Sequence, residues 1–111
     1  MDTEQKKQEL RRIIKATETL DFPRFSSLER KREILRELRL KADAELAAVL
    51  GDRTTEEKEL LWQKAEQAAK KQFGELSEKQ LLNGFYLQEL LHRYTELRAE
   101  EGLKESGEES E

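Results

Sequence analysis

The chain has 111 residues, of which 41% are charged and 35% hydrophobic, and its formal net charge is −4. That length supplies one domain rather than two, the absence of cysteine excludes disulfides, thiol chemistry and cysteine-ligated zinc, and no apolar run approaches the roughly 18 residues of a membrane span. The opening segment MDTEQKKQEL lacks the apolar core of a secretory signal, so a soluble cytoplasmic protein is expected.

The apolar residues recur with a helical period, and the boundary signals divide the chain into four segments. The first helix is predicted at 3–20. Asp2 to Gln5 gives it a loose capping box, and Leu10, Ile13, Ile14 and Thr17 form a thin apolar stripe. This helix is expected to be the least stable of the set. Pro23, the single proline, lies in LDFPRF and separates it from the second.

The second helix is predicted at 27–50, from a capping box at Ser26 to Glu29 to a stop at Gly51. Leu28, Leu35, Leu38, Ala42, Leu46 and Val49 fall on one face. Beside that face runs a row of Arg32, Arg36 and Arg39, which could follow a phosphate backbone. Glu29, Glu33 and Glu37 line the adjacent strip at helix-pair spacings to Arg32, Arg36 and Lys41. A charge-laced solvent face is therefore the stronger reading.

The third helix is predicted at 55–73, capped by Thr54 to Glu57 and stopped by Gly74. Leu61, Ala65, Ala68 and Ala69 form its apolar face, and the small residues permit a close neighbour. Trp62 and Phe73 flank it, with Trp62 read as packing at the core edge rather than as a binding ring.

The fourth helix is predicted at 78–101, from a capping box at Ser77 to Gln80 to a stop at Gly102. Asn83-Gly84 normally marks a turn. A break there would leave the Ser77 box capping barely one turn, so Gly84 is placed inside a continuous helix for a packing reason. Leu82, Tyr86, Leu90, Tyr94 and Leu97 form one apolar face; Leu81, Gly84, Leu87 and Leu91 spread over the other side. A helix apolar nearly all round is buried on more than one side. Either it is central to its own bundle, the favoured reading, or Leu81, Gly84, Leu87 and Leu91 meet a partner chain.

The expected fold is thus all-α, a compact bundle of about four helices over 1–102. A flexible acidic tail at 103–111 is expected to follow. Glu89-x-x-His92 has the spacing of a di-iron carboxylate motif, but such a site needs two of these motifs and the chain has one histidine. No metal, cofactor or catalytic set is expected. The leading expectation is a non-catalytic protein–protein interaction module, whose partner is another protein or a second copy of the chain. The alternative is a nucleic-acid-associated regulator using Arg32, Arg36 and Arg39. Nucleic-acid binders are usually basic, against a pI near 5.3 here. Charge is unevenly divided: residues 1–41 hold 12 Lys/Arg against 8 Asp/Glu, and residues 42–111 hold 9 against 17, so a front of +4 precedes a back of −8. Such an asymmetry can steer a partner or favour head-to-tail contact between copies.

Overall fold

The chain folds into an all-α bundle in the computed structural model, which describes residues 2–19, 27–74 and 85–106. The elements are α1 (Thr3–Ala16), a 3-10 turn at Thr17–Thr19, α2 (Leu28–Leu50), α3 (Thr55–Phe73) and α4 (Phe85–Ser106). No strand occurs among the described residues, and no helix of theirs is long and apolar enough to cross a membrane.

The helix starts follow from side chains that satisfy the free amides of a first turn. The Asp2 box is complete: Gln5 N–H donates to Asp2 Oδ1 at 2.8 Å, and Asp2 N–H donates to Gln5 Oε1 at 3.3 Å. Thr54 caps α3, accepting from Glu57 N–H at 3.1 Å. The cap of α2 is Ser27, accepting from Arg30 N–H at 3.1 Å, not Ser26. A one-residue shift between adjacent serines replaces the expected Glu29 partner with Arg30, so no reciprocal box forms. Gly51 (φ 87°) and Gly74 (φ 73°) end α2 and α3. Each lies in the region that side chains disfavour, and each amide donates back to the preceding turn, to Ala47 and Lys70.

Gly102 does not stop α4. The helix runs on to Ser106, past the expected end at 101, and Gly102 is a buried position inside it. The reason is a close approach to the end of α2: a Cβ at Gly102 would overlap Leu50 Cδ1 and lie 3.0 Å from Leu50 Cγ. Leu103 packs on the core as well, so the helical domain extends beyond the expected boundary at 102. The predicted start of the fourth helix, with Ser77, Leu82 and Asn83, lies outside the described residues, as do 107–111.

α4 is the hub. No Cα of α2 comes within 8 Å of one in α3, and α1 and α3 are likewise apart, whereas α1, α2 and α3 all pack on α4. The N-terminal half of α4 buries Tyr86, Leu87, Leu90, Leu91 and Tyr94 against Leu35 of α2 and Leu61, Ala65 and Ala69 of α3. Ala65 and Ala69 are fully buried; their small side chains bring α3 close. The C-terminal half places Ala99 against Leu10 and Ile13 of α1 and Leu46 of α2. The predicted stripes of α1, α2 and α3 are the faces that do this packing, Trp62 sits at the core edge as expected, and α4 is buried on more than one side.

Candidate functional site

A polar network lies under the junction of α2 and α4. Tyr94 donates its hydroxyl to Asp43 Oδ1 at 2.6 Å, and Arg98 Nη1 donates to the same oxygen at 2.7 Å. The side chain of Arg98 is 1% exposed and that of Asp43 12%. A buried guanidinium persists only with a close counter-charge, and Asp43 supplies it. Burial first, and then the bond to the Asp43 carboxylate, push the Tyr94 hydroxyl up to about 12. Tyr86 is raised also, mainly by burial.

Above this network, Arg39 spans the gap between α2 and α3. Its guanidinium lies 4.3 Å from the Trp62 ring centroid and 4.9 Å from that of Tyr94, and Nη2 meets Glu59 Oε1 at 3.3 Å. Trp62 meets Tyr94 edge-on at 5.1 Å. A hollow of about 220 Å³ opens there, lined by Arg36, Arg39, Leu40, Asp43, Thr55 and Lys58. Its cations are largely neutralised in place, Arg39 by Glu59 and Lys58 by Asp52 at 3.4 Å.

The larger opening is a groove of about 320 Å³ between α1 and α4. Leu10, Ile14, Ala99 and Leu103 form its floor; Lys7 and Arg11 stand on the α1 rim, and Glu96 and Glu100 on the α4 rim. The helices run antiparallel here. The C-terminal end of α1 meets the middle of α4, where Thr17 Oγ1 and His92 Nδ1 are 2.8 Å apart, and Gln88 Nε2 donates to the Glu18 carbonyl at 2.7 Å. Thr17 Oγ1 also donates to the Ile14 carbonyl at 2.6 Å. With that proton committed, the hydroxyl oxygen accepts from His92 Nδ1–H, which fixes the ring's tautomer.

The residues singled out in the sequence divide as follows. Leu87 and Leu91 are 3% and 1% exposed within the bundle, so they serve as core, and a partner interface built on them has no free face in this chain. Leu81 and Gly84 lie outside the described residues. Arg32 and Arg36 are exposed; Arg39 is turned inward onto Trp62. The expected helix pairs of Arg32 and Arg36 do not form, Glu33 taking Arg30 at 3.0 Å instead. Glu89 and His92 face different partners, Arg93 at 2.9 Å and Glu96 at 3.4 Å. No cluster of three or more metal-ligating side chains occurs among the described residues.

Asp43 and Arg98 were not anticipated. A signal for them exists: Asp43 falls on the Leu35–Ala42–Leu46 face, and Arg98 falls one turn beyond Tyr94 on the face of Leu87 and Leu91. Each is a lone charge on an apolar stripe, and the two are opposite in sign. No protein-family model matches the chain, and comparisons with curated proteins and with solved structures find no match.

Proposed function

We propose that this chain is a non-catalytic protein–protein interaction module, a small cytoplasmic adaptor, regulator or assembly subunit. The observation that carries this reading is the α1–α4 groove. Its apolar floor is flanked by rims of opposite sign, an arrangement suited to the apolar face and charged edges of a partner helix. The test is recovery of partners from native lysate, with and without nuclease, by the wild-type chain and by Ile14→Asp. Ile14 is half-buried on the groove floor and packs on Leu10, Ile13, Leu46 and Ala99, so the substitution spoils the floor, and circular dichroism of Ile14→Asp checks first that the fold is kept. Proteins retained by the wild type and lost by Ile14→Asp support the reading; equal recovery by both refutes it.

The nucleic-acid alternative keeps Arg32 and Arg36 as exposed cations but loses Arg39 to Trp62, Tyr94 and Glu59. Removing one of three phosphate contacts weakens the counterion-release contribution on which such binding depends. Protein binding is therefore the better-supported function.

A further inference from the structure

We propose that the occupant of the α1–α4 groove is a second copy of this chain, docked about a two-fold axis running along the groove. The inference rests on the interaction reading above and names its partner. Lys7 and Arg11 lie one helical turn apart on one rim, and Glu96 and Glu100 one turn apart on the other. Across the groove none of these cations forms an ion pair with these carboxylates; Glu96 has His92 Nε2 at 3.4 Å, an ion pair only when the ring is protonated.

The choice of partner follows from symmetry. A two-fold axis along the groove exchanges left and right while leaving height unchanged. It sets the Lys7–Arg11 rim of each copy against the Glu96–Glu100 rim of the other, twice over, with the Leu10, Ile14, Ala99 and Leu103 floors face to face. An axis across the groove would oppose like charges. Isologous contact thus satisfies both rims with one surface, and the α1–α4 pairs of the two protomers stack as two facing two-helix layers. A heterologous partner would need the same two stripes of opposite sign at the same spacing, which this chain already carries.

The experiment is sedimentation equilibrium of the full chain at about 50 mM salt, where the screening length leaves rim charges effective. The wild type is expected to dimerise, less so at about 500 mM salt. Lys7→Glu with Arg11→Glu opposes acid to acid, and Glu96→Lys with Glu100→Lys opposes base to base. Each should weaken dimerisation at least about tenfold, since like-charge juxtaposition is strongly disfavoured. Mixing the two variants should restore a dimer containing one of each, and so should placing all four reversals in one chain. Arg11 and Glu100 are exposed, so Arg11→Glu and Glu100→Lys alone carry the same mixing test if a double reversal fails to fold by circular dichroism. A wild type that stays monomeric at about 200 µM, so that any self-association has a Kd of about 1 mM or weaker, overturns the proposal. So does a dimer that survives both reversals, or a mixture that stays monomeric. A monomeric wild type with Ile14-dependent recovery of other proteins overturns the second copy alone and leaves the interaction reading standing.

Discussion

Replacing Asp43 with Asn keeps the side chain's shape and its acceptor for Tyr94 but removes the charge that holds Arg98. One cation then faces the site uncompensated, Arg98, 1% exposed; Arg39 keeps Glu59 at 3.3 Å. Breaking a buried ion pair from one side costs about 3–5 kcal/mol. Because Asn still accepts one hydrogen bond, the lower end is expected, about 3 kcal/mol. For a domain of this size that is a fall in Tm of roughly 12 °C. Arg98→Met should cost less, because the Asp43 carboxylate left behind is 12% exposed and reaches water. In the double variant no orphaned charge remains, so its cost should fall below the sum of the singles by at least about 1 kcal/mol. Urea denaturation followed by far-ultraviolet circular dichroism measures all three. Additive costs, or an Asp43→Asn penalty under about 1 kcal/mol, would refute the assignment of Asp43 as counter-ion to a buried Arg98.

Other outcomes follow from the same contacts. With Tyr94 pushed up to about 12, its neutral form is favoured by folding; that stability is present below the unfolded value near 10 and is lost as pH rises toward 12. Absorbance at 295 nm, compared between the wild type and Tyr94→Phe, should therefore show the Tyr94 hydroxyl still protonated at about pH 10.5 in the folded chain, with Tm falling above that point less steeply in Tyr94→Phe. Gly102→Ala gains about 1 kcal/mol of helix propensity but pushes its methyl into Leu50, at an overpacking cost of about 1–3 kcal/mol; the net is a loss. In a Leu50→Ala background the clash is gone, and Gly102→Ala should raise Tm instead. Fluorescence anisotropy should detect no more than weak, salt-sensitive binding to duplex DNA or RNA. Submicromolar affinity near about 150 mM salt, abolished by Arg32→Ala with Arg36→Ala, would overturn the preference for a protein partner.

The helices were readable where the chemistry is local. Thr54, Gly51 and Gly74 act within one turn of themselves, so their roles are visible in a short window. Gly102 shows the limit. A glycine ending a helix and a glycine admitting Leu50 look alike in sequence, since the residue that distinguishes them is some fifty positions away. Arg39 fails for the same reason. Its periodicity places it in a row with Arg32 and Arg36, but Trp62 and Glu59, on a different helix, decide where its guanidinium goes. Leu87 and Leu91 had two candidate partners, and only the packing of α2 and α3 on α4 chooses between them. Of the groove, only Leu10 and Ile14 were legible, as part of the α1 stripe; Ala99 was assigned to no face and Leu103 to the tail, because the floor forms only where α4 lies against α1.

The placement of α4 has a consequence for how the protein is made. α1, α2 and α3 leave the ribosome first, yet Leu61, Ala65 and Ala69 share their core with one buried residue of α2, Leu35, and with five of α4, Tyr86, Leu87, Leu90, Leu91 and Tyr94. Until the α4 residues emerge, most of the apolar cluster around α3 is missing, and Arg98 is not yet present to pair with Asp43. Nascent chains halted before Phe85 should therefore stay protease-sensitive, whereas chains extended beyond Ser106 by enough linker to clear the exit tunnel should become resistant in one step.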